Sequence, residues 1–227
     1  MRYAIYFTPR KDHPLTRAAA RWLGRDAFDG AVTAPEAAGD LSPEEVGFHA
    51  ASARRYGFHA TLKAPFVLVE TETEAALDAA LATYAAKTRP VTIERLVLAQ
   101  LDGFFAMVPA ARSADLHNFA GDVVKTFDRF RAPLTDADMA RRNPDALSAA
   151  EFANLTRWGY PYVFETFRFH MTLTGRASGE DARRLRAALE ERFDPLIGGP
   201  FAIDGLALFV EPEPGAPFVV RSYHPLG

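Results

Sequence analysis

The sequence predicts an α+β protein made by internal duplication. Three observations lead there. Runs rich in β-formers alternate with helical patterns that carry their own cap signals, and the strand pairs are closed by short turns, which implies antiparallel pairing. The string Phe-His-x-Thr-Leu occurs twice, at Phe58-His59-Ala60-Thr61-Leu62 and Phe169-His170-Met171-Thr172-Leu173, so the two histidines are 111 residues apart. A second pair, Ile93-Glu94-Arg95-Leu96 and Ile203-Asp204-Gly205-Leu206, is separated by 110 residues. A shared offset over two features indicates a repeated unit of that length, with approximate halves 1–110 and 111–227 in one domain, 1–227.

Taken in order, Arg2 to Pro9 reads as a first strand that stops at proline. Leu15, Ala18, Ala19, Trp22 and Leu23 keep helical spacing behind Pro14. Residues 24–41 are rich in Gly, Ala, Asp and Pro and read as a loop. Ser42-Pro43-Glu44-Glu45 has the cap, first-turn proline and reciprocal glutamate of a capping box, so a helix should run to about Ala53. The first His-x-Thr strand follows. Thr73 caps a helix carrying Leu77, Ala80, Leu81 and Tyr84. Val91 to Leu101 and Phe104 to Pro109 form a hairpin around Asp102-Gly103.

Ser113 opens the clearest helix, with Leu116, Phe119, Ala120, Val123, Val124 and Phe127 on one face. Residues 135–159 carry two further cap signals and predict two short helices around Asn143-Pro144. The second His-x-Thr strand is expected from Tyr162 to Thr174. A helix from Ser178 and a strand pair, Phe201 to Val210 with Phe218 to Tyr223, complete the chain.

Composition narrows the function. The 227 residues are 48% hydrophobic, which is enough for a core. A net charge of -3 argues against an extended nucleic-acid partner, which requires a basic surface. With no cysteine, disulfides, thiolate catalysis and cysteine-held zinc are excluded. No apolar run approaches the roughly 18 residues of a membrane span, and no signal peptide is legible. A cytoplasmic monomer acting on a small phosphorylated substrate, without membrane, metal or cofactor, is the expectation.

Alternation along a strand puts His59 and Thr61 on one face and Phe58, Ala60 and Leu62 on the other; His170 and Thr172 behave likewise. Two such polar faces brought together would frame a cleft with paired imidazoles. A neutral imidazole can take a proton from water while a protonated one gives a proton to a leaving oxygen. Phosphodiester cleavage needs both events, on opposite sides of phosphorus. The threonine hydroxyls can donate to a non-bridging oxygen. Lys63 and Arg168 share the parity of the histidines and are candidates to hold the anion.

The paired motifs resemble the signature of the 2H phosphoesterase superfamily. The strings Arg55-Tyr56-Gly57-Phe58-His59-Ala60-Thr61-Leu62-Lys63-Ala64-Pro65-Phe66 and Phe167-Arg168-Phe169-His170-Met171-Thr172-Leu173-Thr174-Gly175 resemble its DUF1045 branch, associated with phosphonate metabolism. The resemblance implies a bilobal fold with pseudo-twofold symmetry, two antiparallel sheets facing across a central cleft and helices on the outer faces. It further implies His59 and His170 as the acid/base pair of a cyclic phosphodiesterase-like hydrolase, with either able to take either role, and Thr61 and Thr172 on the phosphate. The segment 131–161 exceeds a minimal repeat and is expected to shape the mouth of the cleft.

Three rival readings use the same residues: RNA 2',3'-cyclic phosphodiesterase or 2'-5' ligase-like end processing, a non-enzymatic phosphometabolite sensor, and a histidine metal site. The last lacks nearby carboxylate ligands. His49 reads as a packed core histidine, Tyr3 and Tyr6 as core residues or base-stacking platforms, and His13, His117 and His224 as residues without a role.

Overall fold

A computed structural model describes residues 1–227. Nine strands and seven α-helices follow in chain order: β1 Arg2–Phe7, α1 Pro14–Leu23, α2 Pro43–Arg54, β2 Ala60–Phe66, α3 Glu74–Ala85, β3 Val91–Ile93, β4 Leu96–Leu101, β5 Phe104–Pro109, α4 Ala114–Phe127, α5 Asp136–Ala140, α6 Ala149–Trp158, β6 Met171–Arg176, α7 Gly179–Ile197, β7 Phe201–Ile203, β8 Gly205–Glu211 and β9 Val219–Pro225. The caps act as the sequence suggests. Ser42 and Glu45 bond each other's backbone N–H across the first turn of α2, and Thr73, Ser113 and Ser148 cap α3, α4 and α6. His13, which the sequence left without a role, caps α1: its Nδ1 accepts the backbone N–H of Leu15 at 3.1 Å.

Seven antiparallel strands run in the order β4-β5-β6-β2-β1-β8-β9, and β3 pairs with β7 in a separate two-stranded sheet. The long sheet is two leaves, β4-β5-β6 and β2-β1-β8-β9. They join at a single residue pair, Ala60 with Met171, between the two motif strands. Those residues are 111 apart in the chain. In the small sheet Thr92 pairs with Ala202, 110 apart. Each contact therefore pairs a residue with its own counterpart in the other half, as an internal twofold axis requires.

The halves interleave. Strand β8 lies on β1, while β5, with β4 on its far side, lies on β6. Helix α2 packs on β6 and α4 on β2. The approach of α2 is close: a Cβ on Gly175 would sit 3.2 Å from Ser52 Oγ. The Trp22 indole of α1 donates to the Leu173 carbonyl at 2.9 Å, which satisfies the one polar atom of a fully buried ring.

One main core, including Ile5, Phe7, Trp22, Leu62, Phe127, Leu173 and Phe193, fills the space between sheet and helices. A second, small cluster of Ala4, Tyr6, Ala27, Ala207, Phe209 and Phe218 forms on the other side of β1 and β8.

Two predicted strands are broken. Val91 to Leu101 divides at Glu94-Arg95, because β3 leaves to meet β7 while β4 stays with β5. Phe201 to Val210 divides in the same way at Asp204. The stretch from Tyr162 to His170 is not strand. It turns through a 3-10 segment at Phe164–Thr166, with Phe164 in the left-handed region at φ 50°. The Thr166 hydroxyl donates to the carbonyls of Pro161 and Val163, and Asn154 Nδ2 also donates to Val163. These local bonds compete with a ladder.

No helix is long and apolar enough to cross a membrane.

Candidate active site

The two motif histidines sit one residue before the strands β2 and β6, on the strands that meet at the seam of the two leaves. Their settings match. His59 Nδ1 donates to the Gly57 carbonyl at 3.0 Å, and His170 Nδ1 donates to the Arg168 carbonyl at 2.8 Å. A carbonyl can only accept, so in each ring the proton is fixed on Nδ1 and Nε2 is left for chemistry. Gly57 achieves this at φ 75°, and a Cβ there would lie 2.5 Å from that of Ala27.

The rings differ in what covers them. The register pairs Tyr6 with Thr61 in one leaf and Ala106 with Thr172 in the other. Tyr6, 1% exposed, stacks on His59 with ring centroids 3.9 Å apart, and Tyr56 and Phe209 stand 6.0 Å from the same ring. The methyl group of Ala106 cannot cover His170, whose aromatic neighbour is Phe104 at 5.8 Å. Burial pulls His59 down to about 4; the Gly57 carbonyl opposes this, and the charge of a protonated His170 adds to it. His59 is therefore neutral at pH 7.

The Thr61 hydroxyl lies 3.3 Å from His59 Nε2 and donates to it. Thr61 and His170 line a cavity of about 920 Å³ that also takes in Phe104, Arg112, Tyr160 and Arg168. Thr172 is half-buried on β6, opposite Ala106. Glu151 and Tyr160, both from the long segment 131–161, help to form the wall. No three His, Asp or Glu side chains converge as a metal site would need.

Lys63 is a correction. Uninterrupted alternation would put it beside His59 and Thr61, but the register slips between Tyr6–Thr61 and Ile5–Lys63, one residue of β1 spanning two of β2. That bulge turns Lys63 to the helix side. There it is 3% exposed, with Nζ 2.9 Å from Asp128 Oδ1 and 3.4 Å from the Val124 carbonyl of α4. It ties α4 to β2 and does not reach the cleft. Arg168 is exposed on the cleft wall. Tyr6 and Tyr3 are core residues, so the base-stacking reading fails. His49 is buried in α2 as expected.

Buried Glu211 accepts from both Arg2 and Arg55 and from the backbone N–H of Gly215. Burial pushes its carboxyl up, but these donors outweigh it and hold the pKa at about 2. The network fixes Arg55, where the first motif begins, to β1 and β8. Sequence alternation offers no sign of it, since all three residues are distant in the chain.

The chain belongs to the DUF1045 family, proteins of unknown function, which it matches over residues 61–219. It is 38% identical over 222 residues to ribose 1,5-bisphosphate phosphokinase PhnN of Janthinobacterium sp. (strain Marseille), covering 96% of this chain and 49% of that protein. It is also 38% identical over 219 residues to the protein of the same name from Laribacter hongkongensis (strain HLHK9), covering 96% and 50%. The chain thus spans about half the length of the curated relatives it matches. Among solved structures, TT0787 of Thermus thermophilus aligns over 100% of this chain and 98% of its own at 14% identity and a TM-score of 0.47. E. coli LigT complexed with 3'-AMP aligns over 99% and 97% at 11% identity and a TM-score of 0.43.

Proposed function

We propose that the protein is a metal-independent phosphoesterase of the cyclic phosphodiesterase type, acting on a small cyclic phosphate or phosphodiester. The observation that supports this most is the matched pair of imidazoles on neighbouring strands, each with Nδ1 bonded to the carbonyl two residues before it and Nε2 left for proton transfer.

The difference in cover supports a division of roles. Neutral His59 is the base: its Nε2 takes a proton from water as the water oxygen bonds to phosphorus. Protonated His170 is the acid, giving its Nε2 proton to the ester oxygen as the opposite P–O bond breaks. Solvent returns both rings to their starting states. The Thr61 hydroxyl, bonded to His59 in the free protein, swings to a non-bridging oxygen, and Thr172 does the same from the other leaf. Arg168 holds the anion's remaining charge.

The relatives' name concerns a phosphorylated ribose, so a ribose or nucleotide phosphate is the substrate class we propose. The test is turnover of 2',3'-cyclic nucleotides and cyclic ribose phosphates with a chelator present. His59→Gln and His170→Gln should each reduce kcat by about 10² to 10⁴-fold with the fold intact. Undiminished turnover in either variant, or its disappearance in chelator, would overturn the assignment. Stoichiometric binding of a phosphometabolite without any turnover would favour a sensor.

A further inference from the structure

Three arginines line the cleft, Arg112, Arg168 and Arg176, and no guanidinium among them forms an ion pair or donates a hydrogen bond within the protein, although the charge of Arg168 is felt by Glu151. Elsewhere Arg2, Arg55, Arg131 and Arg184 are held by acids. The cleft's own glutamates are already engaged. Glu151 accepts from the backbone N–H and hydroxyl of Ser148, both at 2.8 Å, and Glu165 accepts from Asn154 Nδ2 at 3.1 Å. Of the acids in the lining only Asp102, in the turn between β4 and β5, has no partner, and it lies at the Arg176 end; Arg112 lines the cavity away from it, in a space of about 920 Å³ that one phosphoryl group beside His170 would leave mostly empty.

The arginines are not equivalent. Pairing of Met107 with Met171 carries the end of β5, and Arg112 beyond it, alongside the segment that leads into His170. His117, one turn into α4, packs its ring edge-on to Phe167 at 5.9 Å. Phe167 is three residues before His170, about 10 Å of extended chain, which a pentose ring with a phosphate at each end can span. Arg176 lies the other way, opposite Phe104. Six residues of strand, about 20 Å, separate its backbone from that of His170.

We infer that the substrate carries a second phosphate, held by Arg112 and His117, while the scissile cyclic phosphate lies between His59 and His170. The substrate class is then a phosphorylated sugar or nucleotide cyclic phosphate, and this rests on the phosphoesterase reading above. A guanidinium can grip a phosphate through two parallel N–H bonds, which makes Arg112 a specificity residue and leaves the acid and base unchanged.

The experiment compares adenosine 2',3'-cyclic phosphate with and without a 5'-phosphate, in chelator, on the parent, Arg112→Gln and Arg176→Gln. The parent should prefer the 5'-phosphorylated substrate by about 10 to 100-fold in kcat/KM. Arg112→Gln should abolish that preference through KM with kcat kept, as expected for binding that is equal in ground and transition states. Arg176→Gln should retain it. Equal turnover of the two substrates by the parent, a matching loss on both in Arg112→Gln, or loss of the preference in Arg176→Gln would overturn the inference.

Calorimetric binding of ribose 1,5-bisphosphate separates the two hypotheses. Binding about tenfold weaker in Arg112→Gln, with no diester turned over by the parent, would retire the phosphoesterase reading and keep the anion site. Unchanged binding in that variant would remove the site.

Discussion

His59 and His170 have the same local bonds and differ through one neighbour, Tyr6 on β1, whose place in the other leaf is taken by Ala106. If His59 is the base, activity falls as pH drops through its pKa, so the acidic limb of kcat/KM should lie near pH 4. Tyr6→Leu lets water reach the ring and should move that limb up toward the ordinary histidine value of about 6.5. A limb that stays where it is in the variant, read beside circular dichroism to establish folding, would mean the stacked ring does not control the base. The histidines and threonines were legible in the sequence because they repeat in phase. Tyr6 was not, because its contact depends on the register between β1 and β2. Lys63 was misread for a related reason: alternation holds only until a bulge, and the one residue of Ala60–Phe66 that hints at irregular pairing, Pro65, sits at the second slip and not at the one that turns Lys63.

At the scale of elements, caps and the Asp102-Gly103 turn were readable because each is a contact among residues close in sequence. Asp102 at φ 46° and Gly103 at φ 94° make the two-residue turn expected of that dipeptide. The breaks at 94–95 and 204 were not readable, since β3 and β7 stop to pair with each other across the molecule. The Gly57 turn is the element on which the setting of His59 depends. Gly57→Ala must place a side chain at φ 75° and against Ala27, so a stability loss of more than about 1 kcal/mol is expected, with kcat falling as the carbonyl under His59 shifts. Gly179→Ala, at φ 57° with open space around it, carries the backbone cost alone and serves as the control. Equal kcat in the two variants would show that the turn does not position the ring.

For the whole molecule, interleaving means neither half can be complete alone: α2 covers β6, α4 covers β2, and β8 extends the leaf begun by β1. His59 and His170 therefore come to the same seam only when the full chain folds. This links the site to global stability. The folded pKa of His59, about 4, is below the unfolded value near 6.5, so the folded state binds fewer protons between these values. The neutral ring costs nothing above pH 6.5. As pH falls from 6.5 to 4 the unfolded chain gains a proton the folded one refuses, and stability drops by at most about 3 kcal/mol, then levels off for this group. Urea unfolding at several pH values should give a shallower slope in that window for His59→Gln than for the parent. Parallel slopes would mean His59 titrates normally in the fold.

What the sequence determined by itself was everything written in short range or in repetition. That covers the α+β class, the helices with their caps and the repetition that sets His59 and Thr61 in phase with His170 and Thr172. Tertiary structure alone decided which strand lies beside which, and so which imidazole is covered, where Lys63 turns, and how Arg112 and His117 come to flank the approach to His170. The physical reason is that periodicity and capping are set within a few residues, whereas register, bulges and strand exchange are set by the burial of surfaces contributed from opposite ends of the chain.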